Sequence, residues 1–197
     1  MLNPTGTRLI TLDELEQMGD ARVEIVDGEL VEMTAASGIH HIVVSNIDFI
    51  LQSYVREKRI GSVFPDGLTY LMGSPAGGLK NSFIPDVSFI RTEDISADWD
   101  INRPNPGVPT LAVEVVSPTD IAETVKQKAR TYLDSGTEQV WIVYPQTQEV
   151  EQYISGKDGV IHVYKSGEVM DVSALFPELE LKVDAVFEMP GWVKPSD

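Results

Sequence analysis

Between residues 38 and 59, His40, Val44, Ile47, Leu51 and Tyr54 recur at three- and four-residue intervals. That spacing predicts a long helix, with Gly61 as its stop. Elsewhere the pattern shortens to strand length. Val23-Glu-Ile-Val-Asp27-Gly28-Glu-Leu-Val-Glu-Met33 carries β-rich runs on both sides of Asp-Gly. This dipeptide suits the two positive-φ positions of a type I′ turn, so a hairpin is expected. Glu24, Glu29 and Glu32 alternate along it and read as a solvated face. Residues 62–72 read as one strand, and Pro85-Asp86-Val-Ser-Phe-Ile90 as a short one. Leu111-Ala-Val-Glu-Val-Val116 and Val140-Trp-Ile-Val-Tyr144 are apolar on both faces, as in strands of a covered sheet. Between them the pattern predicts a helix from about Asp120, with Glu123 as its capping-box partner. Its stripe would be Ile121, Val125, Ala129, Tyr132 and Leu133, and Ser135-Gly136 would end it.

Thr11-Leu-Asp-Glu14 has the form of a capping box before a short helix. Residues 92–108, with Trp99, Pro104 and Pro106, predict an irregular stretch of a length that is often functional. Glu149 to Ile154 and Val160 to Tyr164 predict an antiparallel pair around Asp158-Gly159. Phe176-Pro-Glu-Leu and Pro190 suggest a short helix and a strap. A strand–helix–strand from 111 to 144 implies a parallel crossover, while the hairpins imply antiparallel flanks. The expected fold is a mixed α/β sheet in a single domain over 1–197, with hairpin elaborations on the N- and C-terminal sides.

Composition changes this picture in three ways. No apolar run approaches the ~18 residues that span a bilayer, and no signal-peptide pattern opens the chain. With no cysteine, disulfides, thiolate metal sites and cysteine nucleophiles are excluded; a cytoplasmic location is expected. The 15 basic and 31 acidic residues give a formal charge of -16. That weighs against tight general binding to nucleic acid, which relies on Lys and Arg displacing phosphate counterions.

Glu114 is the most informative residue, because it interrupts an aliphatic run in a strand that should be central. A buried carboxylate is costly unless paired or bound to a cation; a structural ion pair and a functional site both fit. Asp86, after Pro85, reads on its own as a strand-opening residue, and beside Glu114 as a second carboxylate. Two such carboxylates would suit a hard ion such as magnesium. Lys126 and Lys128 lie at the two edges of the same helical stripe, and helical geometry does not choose between them as the accompanying cation. His40 is either a satisfied half-buried histidine or a proton shuttle. His41 and His162 have no partners at metal-ligand spacing, so no zinc site is expected. No P-loop, dinucleotide fingerprint or G-x-S-x-G elbow is present.

The ordered set VEIVDGELVEM, a helix opening with histidine, PDVSFI, LAVEVVSPTD and KARTYLDSGTEQVWIVYP resembles the Uma-type restriction endonucleases of the PD-(D/E)XK nuclease superfamily. The resemblance covers most of residues 12–165. It implies a restriction-endonuclease-like core and hydrolysis of DNA phosphodiester bonds with Mg2+, for which Mn2+ could substitute. The motif aspartate falls on Asp86 and the acidic position on Glu114, both implied as metal ligands. The lysine of the basic motif would be at position 116, which is Val116. The Uma-type pattern takes it instead from the next helix, four residues before a tyrosine, which selects Lys128 ahead of Tyr132. The family histidine falls on His40. Cutting both strands would require a homodimer. The competing reading is a nuclease fold that serves as a non-catalytic interaction module. On the nuclease reading, Lys128→Met is expected to fold and to lose cleavage, and Lys126 to be dispensable.

Overall fold

The computed structural model describes residues 8–19, 21–72, 77–156 and 160–193. A six-stranded mixed sheet forms its centre, in the order β10-β9-β8-β7-β6-β3. These strands are β3 (Gly61–Pro65), β6 (Val87–Arg91), β7 (Leu111–Val115), β8 (Gln139–Tyr144), β9 (Glu149–Ile154) and β10 (Ile161–Lys165). Strands β7 and β8 are parallel, and the remaining pairs are antiparallel. The parallel pair needs a crossover, and α3 (Ala122–Asp134) supplies it. A four-stranded antiparallel sheet, β2-β1-β5-β4, is built from β1 (Val23–Val26), β2 (Glu29–Glu32), β4 (Tyr70–Met72) and β5 (Asn81–Phe83).

Alternation along the central strands divides the core into two faces. Val87, Phe89, Val113, Val115 and Trp141 pack with α2 (Gly38–Lys58) and with Phe176, Leu181 and Val183 of the C-terminal segment. Ile90, Ala112, Val140 and Ile142 pack on the other face with Tyr132 of α3 and with Tyr70 and Phe83 of the smaller sheet. Glu114 has the parity of Ala112 and so belongs to this second face. A short β11 (Val169–Met170) pairs with β12 (Leu181–Lys182), followed by α4 (Val183–Val186). Among the described residues, no helix is long and apolar enough to cross a membrane.

Asp27 and Gly28 both take positive φ, 49° and 84°, as the hairpin requires. The capping box of α1 (Leu12–Gln17) forms between Thr11 and Glu14. Four expectations are corrected. Helix α2 ends on Arg59 in the left-handed conformation, not on Gly61. Gly61 opens β3 instead, where a Cβ would collide with the Ile90 carbonyl of the paired strand. Residues 62–72 form two strands in two different sheets, broken by the turn at Asp66-Gly67 that follows Pro65. The α3 capping box does not form: the helix starts at Ala122, and its N-cap Ile121 makes no side-chain hydrogen bond. Asp120 accepts from the Ser117 backbone N–H at 2.7 Å and closes the preceding turn. Ile121 is exposed and leaves the core stripe. The Asp158-Gly159 turn lies outside the described residues.

Candidate active site

The site lies where the end of β7 meets the start of β6. These strands are antiparallel, and Val87 pairs with Val113. One step further along that register, Asp86 faces Glu114. Pro85 has no N–H to offer the sheet, and Asp86 follows it as the last residue before β6. The Asp86 side chain is tied to the opposing strand: Oδ2 accepts from the Val115 N–H at 2.7 Å. No described residue donates a hydrogen bond to its other oxygen.

His40 reaches the same aspartate from α2. Ser37 caps that helix by accepting from the His40 N–H at 3.3 Å. His40 Nε2 lies 3.2 Å from Asp86 Oδ2, and its Nδ1 is buried without a hydrogen-bond partner. Burial alone would lower the imidazole pKa. Pairing with Asp86, helped by Asp66 and Asp120, outweighs it and carries the pKa upward.

Lys128 comes from the middle of α3. Its Nζ is 2.8 Å from Glu114 Oε2 and 2.8 Å from Glu24 Oε1. The Tyr132 hydroxyl, one helical turn on, donates to Glu114 Oε1 at 2.9 Å. The i, i+4 spacing of Lys128 and Tyr132 thus grips both oxygens of one carboxylate. The Phe83 ring backs the arrangement: its centroid is 5.4 Å from Lys128 Nζ and 5.1 Å from the Tyr132 ring centroid. Lys126 is exposed, so the helix presents only one of its two candidate lysines to the cluster.

Glu24 corrects the expectation of a solvated hairpin face. Its side chain is only 10% exposed, against 14% for Glu114 and 16% for Lys128. Besides Lys128, its Oε1 accepts from the Ile84 N–H at 2.8 Å. Tyr132 is the other residue whose role was missed: it was expected in the core stripe and as the tyrosine that marks Lys128, not as a donor to Glu114. The available signal for Glu24 was its position between Val23 and Ile25. Strand β1 is buried at three successive residues, so its carboxylate poses the same problem as that of Glu114.

Glu24, His40, Asp86, Glu114 and Lys128 line one cleft of about 330 Å³. Among these five, three carboxylates stand with one ammonium and one imidazole; Arg22, Glu32 and Asp120 line the cleft further out. Burial pushes the Glu114 carboxyl up; Lys128 opposes the rise, Asp86 and Glu24 add to it, and the net value reaches about 8. The Lys128 ammonium would be lowered by burial, but Glu114 and Glu24 hold it above its ordinary value. Tyr132 is raised by burial and by the same two carboxylates, and stays a hydrogen-bond donor.

Among the described residues, no three His, Asp or Glu side chains form a ready-made metal shell. Magnesium does not require one, since it commonly uses one or two carboxylates and keeps several waters. The Asp86 and Glu114 carboxylates on one cleft, the surplus of acid over base and the unbonded Asp86 oxygen fit that mode of binding.

The family model described as Uma2, putative restriction endonuclease, matches residues 11–184. A crystal structure of a putative nuclease belonging to DUF820 from Anabaena variabilis is similar over 90% of this chain and 97% of its own. The two share 23% sequence identity, with a TM-score of 0.75. That likeness establishes the shared fold. No curated protein matches the chain significantly.

Proposed function

Because the chain belongs to the Uma2 family of putative restriction endonucleases, we propose that it is a metal-dependent endonuclease hydrolysing DNA phosphodiester bonds. The observation that carries this reading is the Asp86–Glu114 pair, opposed on neighbouring strands at a cleft, with Lys128 2.8 Å from Glu114.

Asp86 and Glu114 would hold Mg2+, or Mn2+ in its place. The bound ion would supply an activated water and stabilise phosphoryl charge. Asp86 is pre-oriented for this by the Val115 N–H, and Glu114 by Tyr132. Lys128 brings a positive charge to the site, where it would favour the developing charge on the phosphorane. His40 is paired with Asp86 through one nitrogen and would act as the proton carrier for the leaving or attacking oxygen. A double-strand break needs two such sites, so we propose a homodimer, to be measured by light scattering.

The formal charge of -16 favours a second reading, a nuclease fold acting as a non-catalytic interaction module. Incubation with single-stranded, double-stranded and supercoiled DNA, with Mg2+ or Mn2+, separates the two. The nuclease reading expects cleavage that EDTA stops and that Asp86→Asn abolishes. Intact DNA under every condition would transfer the assignment to the interaction module.

A further inference from the structure

Lys128 has two anionic partners, and they belong to different parts of the fold. Glu114 is on β7 of the central sheet. Glu24 is on β1 of the smaller sheet, which joins β5 through Ile25 and Ser82. If Glu114 gives its charge to a divalent cation, an ammonium held by Glu114 alone would be left buried without a counter-charge, which is costly. Lysine has a flexible four-carbon stem and freely rotating donors, so it would then swing towards water.

We propose that Glu24 is a positioning residue that keeps Lys128 in the cleft when Glu114 turns to the metal. The inference rests on the endonuclease reading. Glu24 is suited to the task by its place. Its Oε1 binds Lys128 at 2.8 Å and the Ile84 N–H at 2.8 Å. Ile84 stands two residues before Asp86, so one oxygen anchors both the lysine and the turn that delivers the aspartate. A backbone donor also fixes the direction of the Glu24 carboxylate, and it remains fixed whatever Glu114 does. The three carboxylates of the cluster then have separate duties: Asp86 and Glu114 for the ion, and Glu24 for the lysine.

The test reads the lysine rather than activity. Reductive methylation of the metal-free protein with formaldehyde, followed by mass spectrometry, gives a rate for each lysine, with exposed Lys126 as internal reference. Glu114→Gln keeps position 114 uncharged at every pH, so that Glu24 is the one anionic partner left to Lys128. Lys128 should stay at least about tenfold slower than Lys126 in wild type and in Glu114→Gln, because a held, buried amine reacts only through local opening. In the Glu24→Gln, Glu114→Gln double variant it should approach the Lys126 rate. Glutamine still accepts from Ile84, so the loss reports the charge rather than the backbone bond. Glu24→Asp in the Glu114→Gln background should restore part of the protection.

Release of Lys128 in Glu114→Gln alone would overturn the proposal. So would full protection in a folded double variant. Should the double variant not fold, the Glu114→Gln result decides, with protection supporting and release overturning. A wild type that binds no Mn2+ in calorimetry overturns the proposal through the reading it rests on, which the labelling rates do not touch.

Discussion

The two ends of the same three strands hold charge in opposite ways. At the far end, Arg91 closes β6 and Glu138 precedes β8. Arg91 donates two hydrogen bonds to Glu138, at 2.7 and 3.0 Å, and lies 3.4 Å from Asp94. The Glu138 side chain is 48% exposed, and its hydrogen bonds with Arg91 pull its pKa below the ordinary value. At the cleft end, Glu114 is buried beside two other carboxylates, and its pKa is driven up. The residue type is the same, and so is the sheet. The difference lies in whether a guanidinium or burial wins. A satisfied, solvent-screened cluster is a finished piece of structure. A buried cluster with more acid than base would favour a further cation, as the endonuclease proposal requires.

If that contrast is correct, Lys128→Met should have the largest effect. It leaves Glu24 and Glu114 buried without their ammonium, a loss of about 3–5 kcal/mol by urea denaturation. DNA cleavage should fall by a factor of roughly 100 or more. The sequence alone led to the expectation that this variant folds unimpaired; the buried charge cluster around Lys128 predicts a loss of stability instead. A stability loss below about 1 kcal/mol would make the cleft pair equivalent to a surface pair and remove the contrast.

The next effect is a pH dependence. Glu114 has its folded pKa raised from 4.5 to about 8. Its contribution to stability is therefore fully present below the unfolded pKa and is lost as pH rises through about 8. Metal-free wild type should lose more than about 1 kcal/mol between pH 5 and 8 by this route, since one pKa unit is worth about 1.4 kcal/mol. Glu114→Gln should flatten that slope in urea melts with EDTA. Identical slopes in both proteins would show that burial does not control this carboxylate.

At the far end, Arg91→Gln should cost about 1 kcal/mol or less, with the loss shrinking in high salt, and should leave cleavage unchanged. Lys126→Met should be the mildest, within about 0.5 kcal/mol of wild type in stability and equal to it in cleavage.

Much of the central architecture was legible because its signals are local. Asp27-Gly28, the α2 stripe and the apolar runs of β7 and β8 each declare their element within a few residues. Glu114 was legible for the same reason, as a charge inside an aliphatic run. Glu24 was not, because alternation along a strand distinguishes its two faces without saying what covers each. The answer came from Ile25 pairing with Ser82 and from Lys128 arriving from the crossover helix, both distant in sequence. The break at Asp66-Gly67 was missed although its turn residues are local, because the apolar residues on either side were read as continuous. Helical periodicity could not choose Lys128 over Lys126, since both border the same stripe; the Uma-type pattern chose Lys128, and the placement of Glu114 beside it agrees.

The central claim is that the cleft end of the sheet is built to take one divalent cation between Asp86 and Glu114. Crystals soaked in Mn2+ and measured at the manganese absorption edge test it most directly. The account predicts one anomalous peak in the cleft, with an oxygen of each carboxylate at about 2.1 Å, and Lys128 still seated on Glu24. An ordered cleft with no peak, or a peak bound by neither Asp86 nor Glu114, would contradict it.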